Sequence, residues 1–420
     1  MNRRTILAAV AASTGLLVAI PPAAGDRLDT LADNVREATF FQSEGGDLTF
    51  DTDLYLTSDT LITSRPAPGI YKAGSDVLAS PRISLLGQLD FHDKVTLFAL
   101  GRADRGFDAT DGVAKARPDE YYLRLDPFDG PIRFTVGKFG TAYGQWARRY
   151  LEWDNPMVTA PLSYEWITTA GDGLTAPTVA PPVAGFLARK GREADRTRWA
   201  PIVWGPSYCS GFRLDGTLSR FDYAFEIKNN ALSSRPTEWD LWDRGLNAAA
   251  LTYQGRLGFR PVTDWNLGVS ASSGSYLAAE SPGLPAGTRW YDPSQDAVGL
   301  DLSWAHGPLE VWSELHWNRF EIPGPVVSVG MVSYFIESKW KFAPGWWLAG
   351  RWNQQLNDGI TDPKTLTSTH WDNDVWRVEA CVGWQVNRTA SLKAAYSFAD
   401  QDGPIAQGRD LVALQVILGF

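Results

Sequence analysis

Apolar and polar residues alternate with a period of two along almost the whole chain after residue 47. In Phe221–Lys228, for example, aromatic and aliphatic side chains at odd positions are separated by Asp, Ala, Glu and Lys. Successive side chains of a strand point to opposite faces, so this pattern predicts half-buried β-strands. We predict an all-β fold of about sixteen strands, at roughly 47–57, 82–91, 94–104, 119–126, 131–139, 206–215, 217–229, 246–257, 264–276, 296–306, 309–320, 327–342, 346–356, 373–386, 389–399 and 409–420.

The connections between these segments alternate between short and long. Short ones fall at His92–Asp93, Pro127–Gly130, Asp215–Gly216, Pro261–Thr263, His306–Pro308, Ala343–Gly345 and Asn387–Arg388. Long ones span 58–81, 105–118, 140–205, 230–245, 277–295, 321–326, 357–372 and 400–408. Alternate connections of an up-and-down barrel lie at opposite ends, so all the short turns would share one end. We therefore expect residues 47–420 to form an antiparallel up-and-down β-barrel.

A single long apolar run, Ile6–Ile20, lies at the N-terminus. A helical membrane protein would need several apolar runs of about twenty residues, so that class is excluded. The run follows Arg3 and Arg4 and is followed by prolines, alanines and a glycine. A basic start, a short apolar stretch and small residues before a cleavage point are typical of a secretory signal peptide. We predict a signal peptide over residues 1–25.

The short segment 26–46 does not alternate like the strands. Four apolar residues recur at helical spacing among Asp and Arg, namely Leu28, Leu31, Val35 and Ala38. The spacing predicts a short helix that precedes the barrel. A frayed N-terminus of the mature chain is the alternative, since the ends of most domains are poorly ordered.

The composition excludes several functional classes. Residues 1–25 hold two arginines and no acid, so the remaining chain is more acidic than the full chain with its net charge of −9. No net basic surface is left to neutralise phosphates, which argues against a nucleic-acid partner. Two cysteines and four histidines are too few for a disulfide framework or a Cys/His zinc cluster. We expect no metal and no cofactor.

The positions of aromatic residues distinguish a soluble β-sandwich from a transmembrane β-barrel, two classes that the alternation alone does not separate. A soluble sandwich would bury the apolar face against a second sheet, whereas a membrane barrel would turn it toward lipid. Tryptophans near the strand ends lie on the apolar face, namely Trp265, Trp304, Trp317, Trp340, Trp346, Trp376 and Trp384. Girdles of Trp and Tyr at both interfaces are expected of a transmembrane barrel. The tryptophans therefore favour a transmembrane barrel.

The C-terminus has the most specific pattern in the chain. The sequence stops at Phe420, and apolar residues occupy alternating positions before it, namely Val412, Leu414, Val416 and Leu418. This segment resembles the terminal strand of Gram-negative outer-membrane proteins. The resemblance implies recognition of Phe420 by the barrel-assembly machinery, contact with outer-membrane lipid, and both termini in the periplasm.

Strand number and loop lengths narrow the resemblance. The third long connection, 140–205, is the longest in the chain. Sixteen strands with such a loop resemble the general porins. The segment Val136–Gly140, with Tyr143 and Gly144 after it, is also similar to the strand end before this loop in several porin families, including phosphate-selective ones. The resemblance implies a homotrimeric channel for passive diffusion of small hydrophilic solutes and ions, narrowed by a loop that folds inward. At 66 residues this loop is longer than is usual for a porin.

Charged residues of the loop and the polar face form the candidate pore constriction. The loop residues are Arg148, Arg149, Glu152 and Asp154, and the wall residues are Arg102, Arg124 and Arg133. Cations and anions are mixed on the polar face, so no ring of one sign is expected. Each charge has an alternative interpretation as a solvated residue or a cross-strand pair. A basic run in the loop, Arg189 to Arg198, would attract anions or simply lie in solvent.

Two other functions are alternatives to the general porin. Trp146, Trp153 and Trp166 in the loop would stack on sugars in a sugar-selective channel, or would pack the loop against the wall. A basic run would favour an anion-selective channel, for phosphate among others. A barrel enzyme or adhesin without an open pore is the second alternative. Only His316 has a neighbouring carboxylate on its face, Glu314, and no serine is linked to it by sequence, so we predict no enzyme.

Overall fold

The computed structural model describes residues 22–63, 77–104, 115–172, 200–236, 248–279, 281, 284–323, 328–361, 366–402 and 409–420. Most of the predicted signal peptide, residues 1–21, lies outside the described residues. A helix, α1, spans Pro22–Thr39 and covers most of the segment with helical spacing. A two-residue strand, Phe41–Gln42, follows it and pairs with Thr49 and Phe50.

Sixteen long strands within the described residues form one antiparallel sheet, as predicted. They are β1 Leu48–Thr63, β2 Val77–Phe91, β3 Val95–Asp104, β4 Lys115–Leu125, β5 Arg133–Phe139, β6 Cys209–Leu218, β7 Phe221–Lys228, β8 Thr252–Phe259, β9 Trp265–Ser275, β10 Ser294–His306, β11 Leu309–Glu321, β12 Ser328–Ala343, β13 Trp346–Asn357, β14 Val375–Gln385, β15 Ala390–Gln401 and β16 Arg409–Gly419. Each strand pairs with its neighbours in sequence.

The last strand closes the sheet on the first. Strand β16 pairs with β1, and Leu418 lies opposite Leu56. Beyond that register, Leu54 and Phe420 exchange both backbone hydrogen bonds, at 2.9 and 2.8 Å. Closure leaves no row of unpaired backbone groups at a sheet edge. The alternation of the sequence therefore yields a closed barrel.

Short turns lie at one end of the barrel, which we call the turn end, and long connections lie at the other, the loop end. His92 and Asp93 both adopt positive φ, 49° and 54°, as a tight turn between antiparallel strands requires. The predicted turn at Asp215–Gly216 is wrong. Gly216 lies within β6 opposite Tyr223, and the turn follows at Ser219, with φ 57°. A Cβ on Gly216 would lie 1.9 Å from the carbonyl oxygen of Pro131, so this glycine permits close backbone approach rather than a turn.

The two faces of the wall differ as the alternation predicts. On β10, Gln295, Ala297 and Asp301 are buried toward the interior, whereas Val298 and Leu300 are exposed on the outside. All seven tryptophans assigned to the apolar face point outward. Several lie in contact at the turn end, such as Trp346 and Trp384, whose ring centroids are 5.0 Å apart. Among the described residues, no helix is both long and apolar enough to cross a membrane.

The remaining short elements lie in the loops. A hairpin of Gly359–Thr361 and Ser368–His370 stands at the loop end. The connection between β5 and β6 contains a 3-10 helix, Trp146–Arg149, and a short helix α2, Leu162–Glu165. A second 3-10 helix, Ala248–Ala250, precedes β8. Most of the largest cluster of buried apolar side chains comes from the β5–β6 connection and the inner wall, and includes Tyr143, Trp146 and Tyr164.

Candidate functional site

Strand β5 is only seven residues long, and the chain leaves it for the barrel interior. Two glycines of the predicted entry motif have positive φ, Gly137 at 135° and Gly144 at 69°. A Cβ on Gly144 would lie 2.5 Å from the Tyr164 hydroxyl and 2.8 Å from the Glu314 carboxylate. Only glycine fits this close approach without a shift of its neighbours. Residues 140–172 and 200–208 are mostly buried, and we call these two stretches together the inward loop.

Glu314 on β11 is the first anchor of the inward loop. Its Oε1 accepts the backbone N–H groups of Gln145 and Trp146, both at 2.6 Å. Its Oε2 accepts the Tyr164 hydroxyl at 2.5 Å and lies 3.1 Å from Nε2 of His316. The carboxylate is buried, so these donors replace the water that it has lost. The start of the loop is thus fixed to the opposite wall.

Further anchors follow around the wall from β12 to β15. Arg149 donates to Glu337 at 2.8 Å, and its guanidinium lies 3.9 Å from the ring centroid of Trp312. Arg351 donates to the carbonyl oxygen of Thr159 at 2.8 Å. Buried Lys393 donates to three loop carbonyls, those of Glu152, Asn155 and Met157.

Charge pairs at the end of the inward loop complete its attachment. Arg377 on β14 forms an ion pair with Glu165 and also donates to the carbonyl oxygen of Ala160. Lys228 on β7 donates to the carbonyl oxygens of Phe139 and Ser207, at 2.9 and 3.0 Å. These two carbonyls stand where the loop leaves β5 and where it returns to β6. The loop is therefore bonded to the wall at both ends and in the middle.

The 3-10 helix Trp146–Arg149 separates two cavities inside the barrel. Trp146 and Tyr150 line a cavity of about 140 Å³ beside β1, β2 and β16. Ala147 and Arg148 line a larger cavity of about 330 Å³ beside β4 to β7. We call the larger one the turn-end vestibule, because residues at the turn end, such as Arg260, also line it. The helix therefore lies between the two cavities.

Two residues of the predicted constriction, Arg102 and Glu152, form an ion pair. Nη2 of Arg102 lies 2.8 Å from Oε1 of Glu152, and its Nη1 lies 3.4 Å from Asp119. Burial alone would raise the pKa of Glu152, but the guanidinium groups of Arg82 and Arg102 lower that pKa below its ordinary value. Glu152 therefore stays ionised below the usual range for a glutamate, which keeps this contact between loop and wall intact.

The same network contains residues that the sequence did not single out. Arg82 donates from Nε to Asp104 at 2.9 Å, and Arg117 lies 2.9 Å from Asp119. Arg82, Arg117 and Asp119 stand at or beyond the ends of the predicted strands. Parity within the predicted strand places Arg82 on the inner face with Ser84. A register shift between Leu100 and Gly101 reverses the parity of β4 at Asp119, so parity counted back from Arg124 would have turned Arg117 and Asp119 outward.

The other predicted constriction residues lie apart from this pair. Arg124 and Arg133 line the turn-end vestibule together with Arg148. Arg149 binds Glu337, and Asp154 is exposed. The seven residues therefore form one pair and one group of three, with Arg149 and Asp154 apart from both, rather than one ring. The basic run Arg189 to Arg198 lies outside the described residues.

Two of the three candidate sugar-stacking rings are packed inside the protein. Trp146 is 1% exposed, and its ring centroid lies 4.6 Å from that of Tyr164. Trp166 is buried beside Leu162 and Val375. Trp153 is partly exposed, with one face stacked on Tyr55 at a centroid distance of 3.7 Å. Trp146 and Trp166 therefore pack the loop against the wall and leave no free ring face for a sugar.

A metal site requires several His, Cys, Asp or Glu side chains grouped around one point. The described part of the chain has no group of three or more such residues arranged to hold a metal ion. Cys209 on β6 and Cys381 on β14 are both buried. The carboxylates of the interior are instead occupied by arginines, lysines and backbone amides, as described above. The chemistry of this interior is that of fixed, paired charges around two cavities.

The chain is similar in fold to several solved structures of bacterial porins and outer-membrane proteins. The anion-selective porin from Comamonas acidovorans aligns over 89% of this chain and 100% of its own, with a TM-score of 0.55 and 8% identity. The OmpF complex with daunomycin from Salmonella typhi aligns over 90% of this chain and 100% of its own, with a TM-score of 0.55 and 8% identity. The outer-membrane channel DcaP of Acinetobacter baumannii aligns over 90% of this chain and 99% of its own, with a TM-score of 0.54 and 9% identity. No family model and no curated protein sequence matches the chain. At such low identity the likeness concerns the fold, and the chain has the sixteen-stranded porin fold.

Proposed function

We propose that the protein is an outer-membrane porin, a passive diffusion channel for small hydrophilic solutes and ions. The observation that carries the proposal is the inward loop, which crosses a closed barrel and leaves a charged cavity on each side of Trp146–Arg149. A polar interior within an apolar exterior is what an aqueous channel through lipid requires. The structural neighbours include an outer-membrane channel and an anion-selective porin.

Filtration takes place at the inward loop in this proposal. The loop is bonded to the wall by Glu314, Lys393 and Arg377, so its position is fixed and the passage has a set width. Large solutes are excluded by that width. Small ions respond to the fixed charges, because the field of a charge is screened only weakly near a low-dielectric wall with little water.

The membrane setting is part of the same proposal. The outward apolar face contacts outer-membrane lipid of a Gram-negative bacterium, with the turn end and both termini in the periplasm after removal of the signal peptide. The barrel-assembly machinery recognises Phe420, which completes the closing strand pair with Leu54. A homotrimer is the proposed assembly, and a trimer form is described for OmpT of Vibrio cholerae, which shares this fold at 10% identity and a TM-score of 0.53.

We further propose that the barrel has no catalytic site. His316 is buried, and its partner Glu314 already accepts hydrogen bonds from Gln145, Trp146 and Tyr164. A general base needs a free lone pair within reach of a nucleophile, and this carboxylate is bonded to the loop instead. The pair therefore serves to position the loop.

Single-channel recording in planar bilayers tests the channel function. We expect the purified full-length protein to insert in discrete, ohmic conductance steps, and absence of any step would contradict the proposal. Gly144→Ala should displace the loop, because its Cβ would meet Tyr164 and Glu314, and should give larger conductance with more current noise. Gly101→Ala is the matched control, since a Cβ there meets nothing within 4 Å. The control should conduct like the unmodified protein.

A further inference from the structure

Arginines outnumber carboxylates around the turn-end vestibule. Five arginines line it, namely Arg124, Arg133, Arg148, Arg213 and Arg260. Three carboxylates line it, namely Glu120, Asp215 and Asp222. The residues come from four neighbouring strands, the inward loop and a turn, so the cavity is built by the fold rather than by one flexible segment. Its volume of about 330 Å³ falls in the range of small-molecule sites.

Two of the lining arginines are each paired with a carboxylate. Arg133 donates from Nε to Asp215 at 2.9 Å. Arg213 donates from Nε to Glu226 at 2.5 Å. Such pairs fix the side chains and contribute little net field at a distance.

Asp222 is also neutralised. It accepts Nη1 of Arg256 at 2.5 Å and lies 3.4 Å from Nη2 of Arg260. Two arginines therefore surround one carboxylate. Of the acids that line the vestibule, Asp215 and Asp222 are both held by guanidinium groups, so neither is available to repel an entering anion strongly.

Arg124 and Arg148 differ from the other arginines of the vestibule. The closest polar contact of the Arg124 guanidinium is a hydroxyl, Oγ1 of Thr96, at 3.4 Å. Arg148 is exposed to the cavity, and its guanidinium has no hydrogen bond or ion pair to a described residue. Each therefore presents a positive charge with free N–H donors. A guanidinium of this kind matches the paired oxygens of phosphate or carboxylate.

Around the smaller cavity, the arginines are all paired with carboxylates. Its charged wall contains Arg82, which contacts Asp59, Asp104 and Glu152. Arg102 is enclosed by acids of the same network. No guanidinium of that network is left without a carboxylate. Of these two cavities, only the turn-end vestibule therefore has guanidinium groups without a carboxylate partner among the described residues.

We propose that the turn-end vestibule binds small oxyanions through Arg124 and Arg148 and makes the channel anion-selective. This inference rests on the proposed channel function, since it assigns the class of ion that the passage favours. The ligand chemistry is an anion with two or more oxygen acceptors, for which inorganic phosphate is the simplest probe. Arg133, Arg213 and Arg260 form the surrounding positive wall, and the carboxylates hold them in place.

The test compares ion selectivity among three forms of the full-length protein in planar bilayers. The unmodified channel should prefer chloride over potassium in a salt gradient, and inorganic phosphate should reduce its chloride current. The double variant Arg124→Gln/Arg148→Gln removes both free charges and breaks no ion pair to a described residue. One charge about 4 Å away contributes about 1 kcal/mol in water, which is about fivefold, so we expect the loss of two charges to lower the chloride preference by up to about 25-fold.

Arg319→Gln is the matched control, because Arg319 is exposed on the outer face of β11. It removes the same charge type outside the passage and should keep both chloride preference and phosphate block. A conducting double variant with unchanged selectivity and phosphate block would overturn the inference while leaving the channel function standing. Cation preference in the unmodified channel would do the same. Absence of conductance steps in the unmodified protein would instead overturn the channel function itself.

Discussion

The carboxylate of Glu314 accepts the backbone N–H of Trp146 at 2.6 Å, and this bond joins the barrel wall to the first turn of the inward loop. The two residues are 168 positions apart in the chain. Trp146 begins the 3-10 helix that separates the two cavities, so the wall fixes the position of this helix directly. In the proposed channel, rigid placement of this helix would give the passage a set width.

Glu314→Gln should loosen the start of the inward loop without unfolding the barrel. A neutral amide accepts the N–H groups of Gln145 and Trp146 more weakly than a carboxylate does, and loss of such charged hydrogen bonds costs about 1.5–3 kcal/mol. We expect increased current noise in the open channel. Glu310→Gln on the same strand is the control, because Glu310 pairs with exposed Lys341 near the turn end. Equal noise in both variants would contradict the role of Glu314.

Acid should release the loop at Glu152 only well below neutral pH. The pKa of Glu152 is lowered, despite burial, by Arg82 and Arg102. A carboxyl with a lowered pKa stabilises the folded state above its ordinary pKa and loses that contribution as pH falls through the lowered value. We expect conductance noise to stay constant from pH 7 to about pH 4 and to rise below that.

Glu152→Gln is the variant that checks this assignment. It removes the titrating group, so its recordings should be noisy already at neutral pH and should change less on acidification. Single-channel traces between about pH 7 and pH 3 provide the measurement. A variant that keeps the full acid response would show that another group titrates.

The barrel itself was predictable from sequence because its period-two pattern is continuous. The strand boundaries were less predictable where proline or glycine intervenes. Pro118 lies in β4 beside the shift in register between Leu100 and Gly101, so its missing N–H falls at an irregularity of the ladder. Gly216 continues β6 where it was expected to form a turn. In both cases tertiary pairing overrides the local preference of the residue.

The candidate site was less predictable than the fold. Parity along a strand shows that Arg102 and Arg124 face inward, but it does not show their partners. Arg149 meets Glu337 across 188 positions of sequence, and this contact depends on the path of the inward loop. The sequence also does not show which arginines form ion pairs with carboxylates and which do not. That distinction, between Arg102 and Arg148, needs the loop in place.

Trp146→Ala should reduce stability rather than change sugar passage. Trp146 is 1% exposed and packs against Tyr164 and Tyr150. Removal of a buried tryptophan costs about 3–5 kcal/mol. We expect a lower midpoint of unfolding in denaturant. Trp153→Ala is the comparison, because the ring of Trp153 is partly exposed and has one stacked face, so its loss should cost less. Loss of maltotriose block in the Trp146 variant at unchanged stability would favour the sugar channel.

Lys393→Met should free the middle of the inward loop. The Lys393 ammonium donates to the carbonyl oxygens of Asn155 and Met157, at 2.6 and 3.4 Å, and to that of Glu152. Methionine fills a similar volume and donates nothing, so three buried carbonyls lose their donor, at about 1–3 kcal/mol for each one left unsatisfied. We expect faster amide hydrogen exchange in residues 152–159. Lys339→Met is the matched control, because Lys339 faces the Trp347 ring at 5.0 Å. Equal exchange rates in the two variants would contradict the anchoring by Lys393.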